Sequence, residues 1–185
     1  MNVSKAVLIT GCSSGIGWAT AERLVDVGWR VYATARSVEK IAPLQQHGCE
    51  LLPLDVTDED SMRSTVDEVE RQEGTVGVLV NNAGYSQSGA VEAVPMEKVR
   101  RQFETNVFGL ARMCQLALPG MRRQGYGRIV NVSSTLGVEG CVLFTGSLPA
   151  QVGLLYRVLS LHDAAHHPGA AHHCPTSRSR EDLRK

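Results

Sequence analysis

The chain opens on a continuous apolar run, Ala6-Val7-Leu8-Ile9, then a glycine-rich turn, then Ile16, Thr20, Leu24 and Val27 at three- and four-residue spacing. A short unbroken apolar run is the mark of a buried strand, and the 3.6-residue period is that of a helix. The alternation recurs. Residues from Gly28 to Arg36 predict a turn and a second strand, and Val38 to Gln46 a helix ending near Gly48. Glu50 to Val56 predicts a third strand. Thr57 then makes a plausible N-cap, with Asp60 three residues on, for a helix whose Met62, Val66 and Val69 share one face. Val76 to Val80 is a continuous apolar strand ending in Asn81-Asn82-Ala83-Gly84. Residues 95 to 105 predict a polar helix opened by Pro95. From Asn106 the positions Val107, Leu110, Cys114, Leu118 and Met121 keep helical spacing, with Pro119 predicting a late bend. Gly127 to Ser134 predicts a fifth strand. Apolar strands alternating with amphipathic helices give an α/β class, with a parallel sheet covered on both faces.

After about Thr135 this pattern stops. Residues 141–185 hold five of the six histidines (His162, His166, His167, His172 and His173), three acids and a single lysine at the end. Val152 to Leu161 is one weak apolar stretch; beyond His162 the Ala-, His-, Pro-, Ser- and Arg-rich text has no period and is expected to be disordered. The division expected is therefore a domain over residues 1–140 and an atypical tail over 141–185. The tail histidines invite a metal reading, His162 and His166 being four apart. Pro168 and Gly169 break any helix directly after them, no hydrophobic frame orients them, and no metal site is expected.

Composition narrows the function classes. The chain has 185 residues, 43% of them hydrophobic, with 19 Lys+Arg balancing 19 Asp+Glu. Zero net charge gives no reason to expect nucleic acid or an anionic membrane as partner. No apolar run approaches the ~18 residues of a membrane span, and Met1 runs almost directly into the first strand without a visible leader. The five cysteines (Cys12, Cys49, Cys114, Cys141 and Cys174) are odd in number and lack a C-x-x-C, as expected of reduced thiols in the cytoplasm.

The chemistry concentrates in Thr10-Gly11-Cys12-Ser13-Ser14-Gly15-Ile16-Gly17. Strand, glycine turn and helix are the order a dinucleotide site needs. Gly11 permits a tight turn, Gly15 lets backbone approach a pyrophosphate, and Gly17 lets the helix pack on the strand, while the helix N-terminus offers free N–H groups to phosphate. The spacing is G-x-x-x-G-x-G rather than the general G-x-G-x-x-G, and three glycines alone are weak support.

Further motifs follow in order: Asp55-Val56 after the third strand, Asn81 to Gly84 after the fourth, Asn106, and Gly127 to Ser134. Together with Thr10 to Gly17 they resemble the short-chain dehydrogenase/reductase family over roughly residues 5–140. The resemblance implies a Rossmann-type doubly wound sheet of strand order 3-2-1-4-5, normally continued by two more strands, and hydride transfer between a nicotinamide and an alcohol or ketone. It implies a cofactor site of Gly11, Ser13, Ser14, Gly15, Ile16, Gly17, Arg36, Asp55, Val56, Asn82, Ala83 and Gly84. Asp55 could equally be a turn carboxylate; beside Val56 the resemblance has it accept from the adenine amino group. Arg36 could be a solvated charge. In the family a base at the end of the second strand favours NADP and an acid favours NAD, so NADP is expected over NAD, with Ser13 adding a hydroxyl. Asn106 could be a helix N-cap; the family reading has it bend its helix and hold a water in a proton relay. Ser134, with Ser133 as the alternative, would stabilise charge on a substrate carbonyl.

One family element is missing. Its proton donor is the tyrosine of a Y-x-x-x-K motif, whose lysine lowers the tyrosine's pKa toward working pH. Counting on from Ser134 reaches Ser147, with Gln151 at the lysine position, and no Y-x-x-x-K occurs anywhere in the chain. Severe impairment of turnover is the expectation. A non-catalytic cofactor-binding remnant and an unstable product are the rival readings, and the family's homo-oligomer surface is expected to be disrupted. A shifted reading frame or alternative exon from about residues 135 to 141 accounts for the break. The other two frames of the coding DNA are then expected to yield a tyrosine and lysine four apart soon after codon 140; their absence refutes the shift. Tyr85 to Val94 is the remaining candidate for a substrate wall.

Overall fold

A computed structural model describes residues 3–87, 89 and 91–132. Ser133, Ser134, the expected boundary near Gly140 and the whole tail with its histidines lie outside the described residues. Within them the order is β1 (Ala6–Ile9), α1 (Gly15–Asp26), β2 (Arg30–Ala35), a 3₁₀ turn (Val38–Ile41) leading into α2 (Ala42–Gln46), β3 (Glu50–Pro53), α3 (Glu59–Glu73), β4 (Val78–Asn81), α4 (Met96–Phe103), α5 (Leu110–Gln124) and β5 (Arg128–Asn131). The five strands form one parallel sheet in the order β3-β2-β1-β4-β5. This is the expected Rossmann-type topology, with β1 and β4 side by side at the reversal of strand order.

The period of two along each strand sorts the core into two layers. Ala6, Leu8, Tyr32, Leu79 and Ile129 face α3 and α5, meeting Met62, Val66, Val69, Met113, Ala117 and Met121. Val7, Ile9, Val31, Ala33, Val78 and Val80 face the other way, onto Ala21 and Leu24 of α1 and Ile41 and Leu44 beside and within α2. Val130 pairs with Val80 and so belongs to this second layer, yet it is 37% exposed. Among the described residues α1 and α2 cover β2, β1 and β4 but leave β5 as an edge with that side open.

Several local expectations shift. The cap of α3 is Asp58, whose carboxylate accepts from the Ser61 N–H at 2.8 Å, and not Thr57. Thr57 instead donates both its N–H and its hydroxyl to Asp55, which takes it out of the cap position. Strand β3 ends at Pro53 rather than Val56, so that Asp55 and Val56 stand past the sheet's carboxyl edge. On α1 the buried residues are Gly17 and Ala21, whereas Ile16 and Val27 are 62% and 52% exposed. Ile16 is apolar for another surface.

The α3–α5 layer is clasped at its rim. Arg112 pairs in a fork with Glu59, which Arg63 also approaches, and this holds the Glu59 carboxyl down at about 2. A folded value below the unfolded one contributes stability above the ordinary carboxylate range, lost as pH falls through about 2. Glu59→Gln is therefore expected to lower the urea midpoint slightly at pH 7. The gap from the parent should shrink as pH drops below the ordinary range, since exposed pairs contribute little. A gap independent of pH contradicts the clasp.

Candidate functional site

A cleft of about 1000 Å³ runs along the carboxyl edge of the sheet at the β1–β4 junction. Gly11, Ser13, Ser14, Ile16, Arg36, Asp55, Val56, Asn82, Ala83 and Gly84 all line it. Segments scattered over seventy residues of sequence thus meet, because parallel strands deliver every following loop to one edge. Of the other expected residues, Gly17 is buried beneath the turn, Gly15 is exposed at the head of α1, and Asn106 is buried behind Gly84 and Tyr85.

The turn is built by a polar clamp. The Thr10 hydroxyl accepts from the N–H groups of Asn82 (3.0 Å) and Ala83 (2.9 Å). The Asn82 amide in return donates to the carbonyls of Thr10 (3.0 Å) and Gly11 (2.9 Å). These bonds tie the ends of β1 and β4 together and set the turn's path. Gly11 holds φ +73°, and a Cβ there would come within 2.8 Å of the Ala83 Cα. A Cβ on Gly17 would press on the Asn82 side chain and on the Gly11 carbonyl oxygen at 2.6 Å. The first and third glycines are therefore required by the clamp. Gly15 differs: its φ is +62°, but among the described residues nothing beyond its own turn of chain lies within 4 Å of a Cβ built there. The Cys12 thiol is turned inward, donating to the Ile9 carbonyl, and burial pushes its pKa up to about 12.

The head of α1 is electrostatically open. Ser14 occupies the N-cap without a side-chain hydrogen bond, and the first turn carries no acid. Its backbone N–H groups and partial positive charge are left for an anion. That free helix end, with the open volume over Gly15, fits a dinucleotide pyrophosphate. Arg36, exposed at the end of β2, has no hydrogen-bond or ion-pair partner among the described residues. Asp55 is a turn carboxylate that also lines the cleft. One carboxylate oxygen holds the Thr57 turn, and the other has no partner among the described residues.

Asn106 is no helix cap. Met96–Phe103 and Leu110–Gln124 are joined without a break by a π-helical stretch, Glu104–Gly109, with Asn106 inside it. Its amide bridges the two peptide groups on either side of the Tyr85 Cα, accepting from the Tyr85 N–H at 3.1 Å and donating to the Tyr85 carbonyl at 2.8 Å. The widened turn fits against the chain after β3, since a Cβ on Gly109 would meet the Val56 carbonyl. The sequence reading missed the far wall of the cleft, where Lys98, Arg101 and Thr105 face in from α4 and the π-helical stretch. Their polar stripe reads as a solvated helix face, and only the tertiary placement of α4 over the cleft makes it a lining.

The family model for short chain dehydrogenases matches residues 5–146. The chain belongs to the short-chain dehydrogenase family. It is 42% identical over 135 residues to a 3-ketodihydrosphingosine reductase of Bacteroides thetaiotaomicron, covering 72% of this chain and 48% of that protein. It is 41% identical over 136 residues to an NADPH-dependent 1-acyldihydroxyacetone phosphate reductase of Schizosaccharomyces pombe, covering 72% and 46%. A short-chain dehydrogenase from Streptomyces avermitilis superposes with a TM-score of 0.77 at 39% identity, over 82% of this chain and 57% of that one. The chain spans about half the length of the curated relatives it matches. The family is one of oxidoreductases that use nicotinamide cofactors. Among the described residues no helix is long and apolar enough to cross a membrane.

Proposed function

We propose that the chain is an NADP-binding cradle of the short-chain oxidoreductase type, acting on the alcohol/ketone pair, with turnover severely impaired. The observation that carries the cofactor reading is the uncapped, acid-free head of α1 opening on a cleft that also receives Arg36. The N–H groups at Ser14 to Ile16 hold the pyrophosphate, with Ser13 and Ser14 adding hydroxyls. Asp55, through its free oxygen, accepts from the adenine amino group while Val56 packs on the ring. Arg36 pairs with the 2′-phosphate, a fork that an ammonium reproduces less well. The NADPH dependence of the Schizosaccharomyces pombe relative supports this choice over NAD.

A bound nicotinamide supplies or accepts the hydride. The chain's own part is to orient the carbonyl and manage the proton. Ser134 donates a hydrogen bond to the substrate oxygen, and Asn106 fixes the Tyr85 backbone in the cleft. No tyrosine–lysine pair follows at the family's spacing, where Ser147 and Gln151 stand. An unassisted serine hydroxyl is a poor proton donor at neutral pH. Both relatives named above are reductases, one of 3-ketodihydrosphingosine and one of 1-acyldihydroxyacetone phosphate, which supports a ketone as the substrate. The free thiols of Cys12, Cys49 and Cys114 support a cytoplasmic setting.

Titration of the purified chain with NADPH, followed by the cofactor's fluorescence, tests the cradle, and saturable binding is expected. Ketone-dependent NADPH oxidation in the same sample is expected only at trace level. A turnover on the order of 1–1,000 per second, ordinary for enzymes, contradicts the impaired-catalyst reading.

A further inference from the structure

Past Asn81-Asn82-Ala83-Gly84 the chain reaches Tyr85, which is 41% exposed and lines the cleft. Its peptide is held more tightly than its place in a loop requires. Asn106 already satisfies both the N–H and the carbonyl of Tyr85. A second amide, Gln102, one turn earlier on the same continuous helix, also donates to that carbonyl, at 3.0 Å. Gln102 is 1% exposed and does not line the cleft. Its own carbonyl oxygen, buried, finds no hydrogen-bond partner among the described residues. An amide that leaves one of its two polar ends unsatisfied in the core is a poor choice for stability alone. An apolar side chain of the same length would fill the space without the orphan.

We propose that Gln102 is a positioning residue, which, with Asn106, locks the Tyr85 carbonyl and so fixes the Tyr85 ring as the cleft's ligand-facing wall. Both lone pairs of that carbonyl are taken by the two amides, so the peptide cannot rotate to offer its oxygen to a ligand. What Tyr85 presents to the cleft is its ring and phenol. Gln102 reaches the ligand only through Tyr85. This rests on the cofactor reading above, but the locking of the peptide can be read without any cofactor.

Gln102→Met keeps the volume and removes both the donor and the orphaned acceptor. Hydrogen exchange of peptides covering residues 82–87 is expected to speed up roughly tenfold, about what one lost hydrogen bond gives. Exchange in α5 and the melting temperature should stay as in the parent. NADPH should bind roughly tenfold more weakly. In a Tyr85→Ala background the same substitution should change NADPH affinity less than about twofold, because the positioned ring is gone. Gln102→Asn, one methylene short of the Tyr85 carbonyl, should speed exchange at 82–87 and weaken NADPH binding as Gln102→Met does, but with a lower melting temperature, because its buried amide keeps no partner. Unchanged exchange at 82–87 overturns the proposal, as does collapse of the fold in both variants or an equal affinity loss with and without the Tyr85 ring. If the parent chain binds no NADPH, the cofactor reading fails, and the exchange result alone decides the role of Gln102.

Discussion

Gly17→Ala is expected to lower the melting temperature by roughly 10 °C and to abolish measurable NADPH binding, whereas Gly15→Ala is expected to abolish binding at a loss of only roughly 3–7 °C. At Gly17 the new methyl has nowhere to go. One neighbour is the Asn82 amide that ties the turn to β4, and the other is the Gly11 carbonyl at 2.6 Å, backbone that cannot swing aside. Overpacking of this kind costs about 1–3 kcal/mol, and displacing Asn82 forfeits up to two hydrogen bonds of about 1 kcal/mol each. Against a total stability of about 5–15 kcal/mol the loss is large. A drop of about 3 kcal/mol in a domain of this size corresponds to that shift in melting temperature. A Cβ on Gly15 meets nothing within 4 Å among the described residues beyond its own turn, so the substitution bears only the strain of φ +62°, about 1–2 kcal/mol for a residue with a Cβ. The methyl then occupies the space left for the pyrophosphate at the head of α1. Parallel thermal melts and NADPH titrations of the two variants check this. Equal loss of stability in both, or full NADPH affinity in Gly15→Ala, contradicts the division of labour between the glycines.

Arg36→Glu is expected to weaken NADPH binding by about 100-fold while leaving NADH within about threefold of the parent. Removing a charge-assisted hydrogen bond to phosphate costs about 1.5–3 kcal/mol, and the introduced carboxylate repels the 2′-phosphate in addition. An acid at the end of β2 can instead accept from the ribose hydroxyls of NADH. No described residue competes for Arg36, so its substitution disturbs no ion pair of the fold. Competitive titration with the two cofactors reads the ratio directly. Equal weakening of NADPH and NADH places Arg36 away from the 2′-phosphate.

Much of the fold was legible because each strand's alternation and each helix's period pointed the same way. Leu8, Leu79 and Ile129 are apolar where α3 and α5 cover them, and Val7, Val31 and Val78 where α1 and α2 do. The places where the reading slipped have a common physical cause, in that a residue's type satisfied two local roles and tertiary contacts chose between them. Thr57 looks like a cap until Asp55 claims its N–H and hydroxyl, leaving Asp58 to cap α3. Ile16 keeps the helical spacing of a core residue but faces the cleft. Asn106 suits a helix start, yet the preceding helix runs straight into it through a π-helical stretch, a bonding pattern without a distinctive residue signature. Gln102 was invisible altogether, since a glutamine amid Arg100, Arg101 and Glu104 reads as part of a solvated face. Only the fold shows it to be buried and turned onto Tyr85.

The most direct test is a crystal structure of the chain grown with NADPH. The expected result places the pyrophosphate within hydrogen-bond reach of the N–H groups at the head of α1, with the 2′-phosphate on Arg36. A dinucleotide bound away from the carboxyl edge of the sheet, or lying in the cleft with its phosphates remote from Gly15, contradicts it.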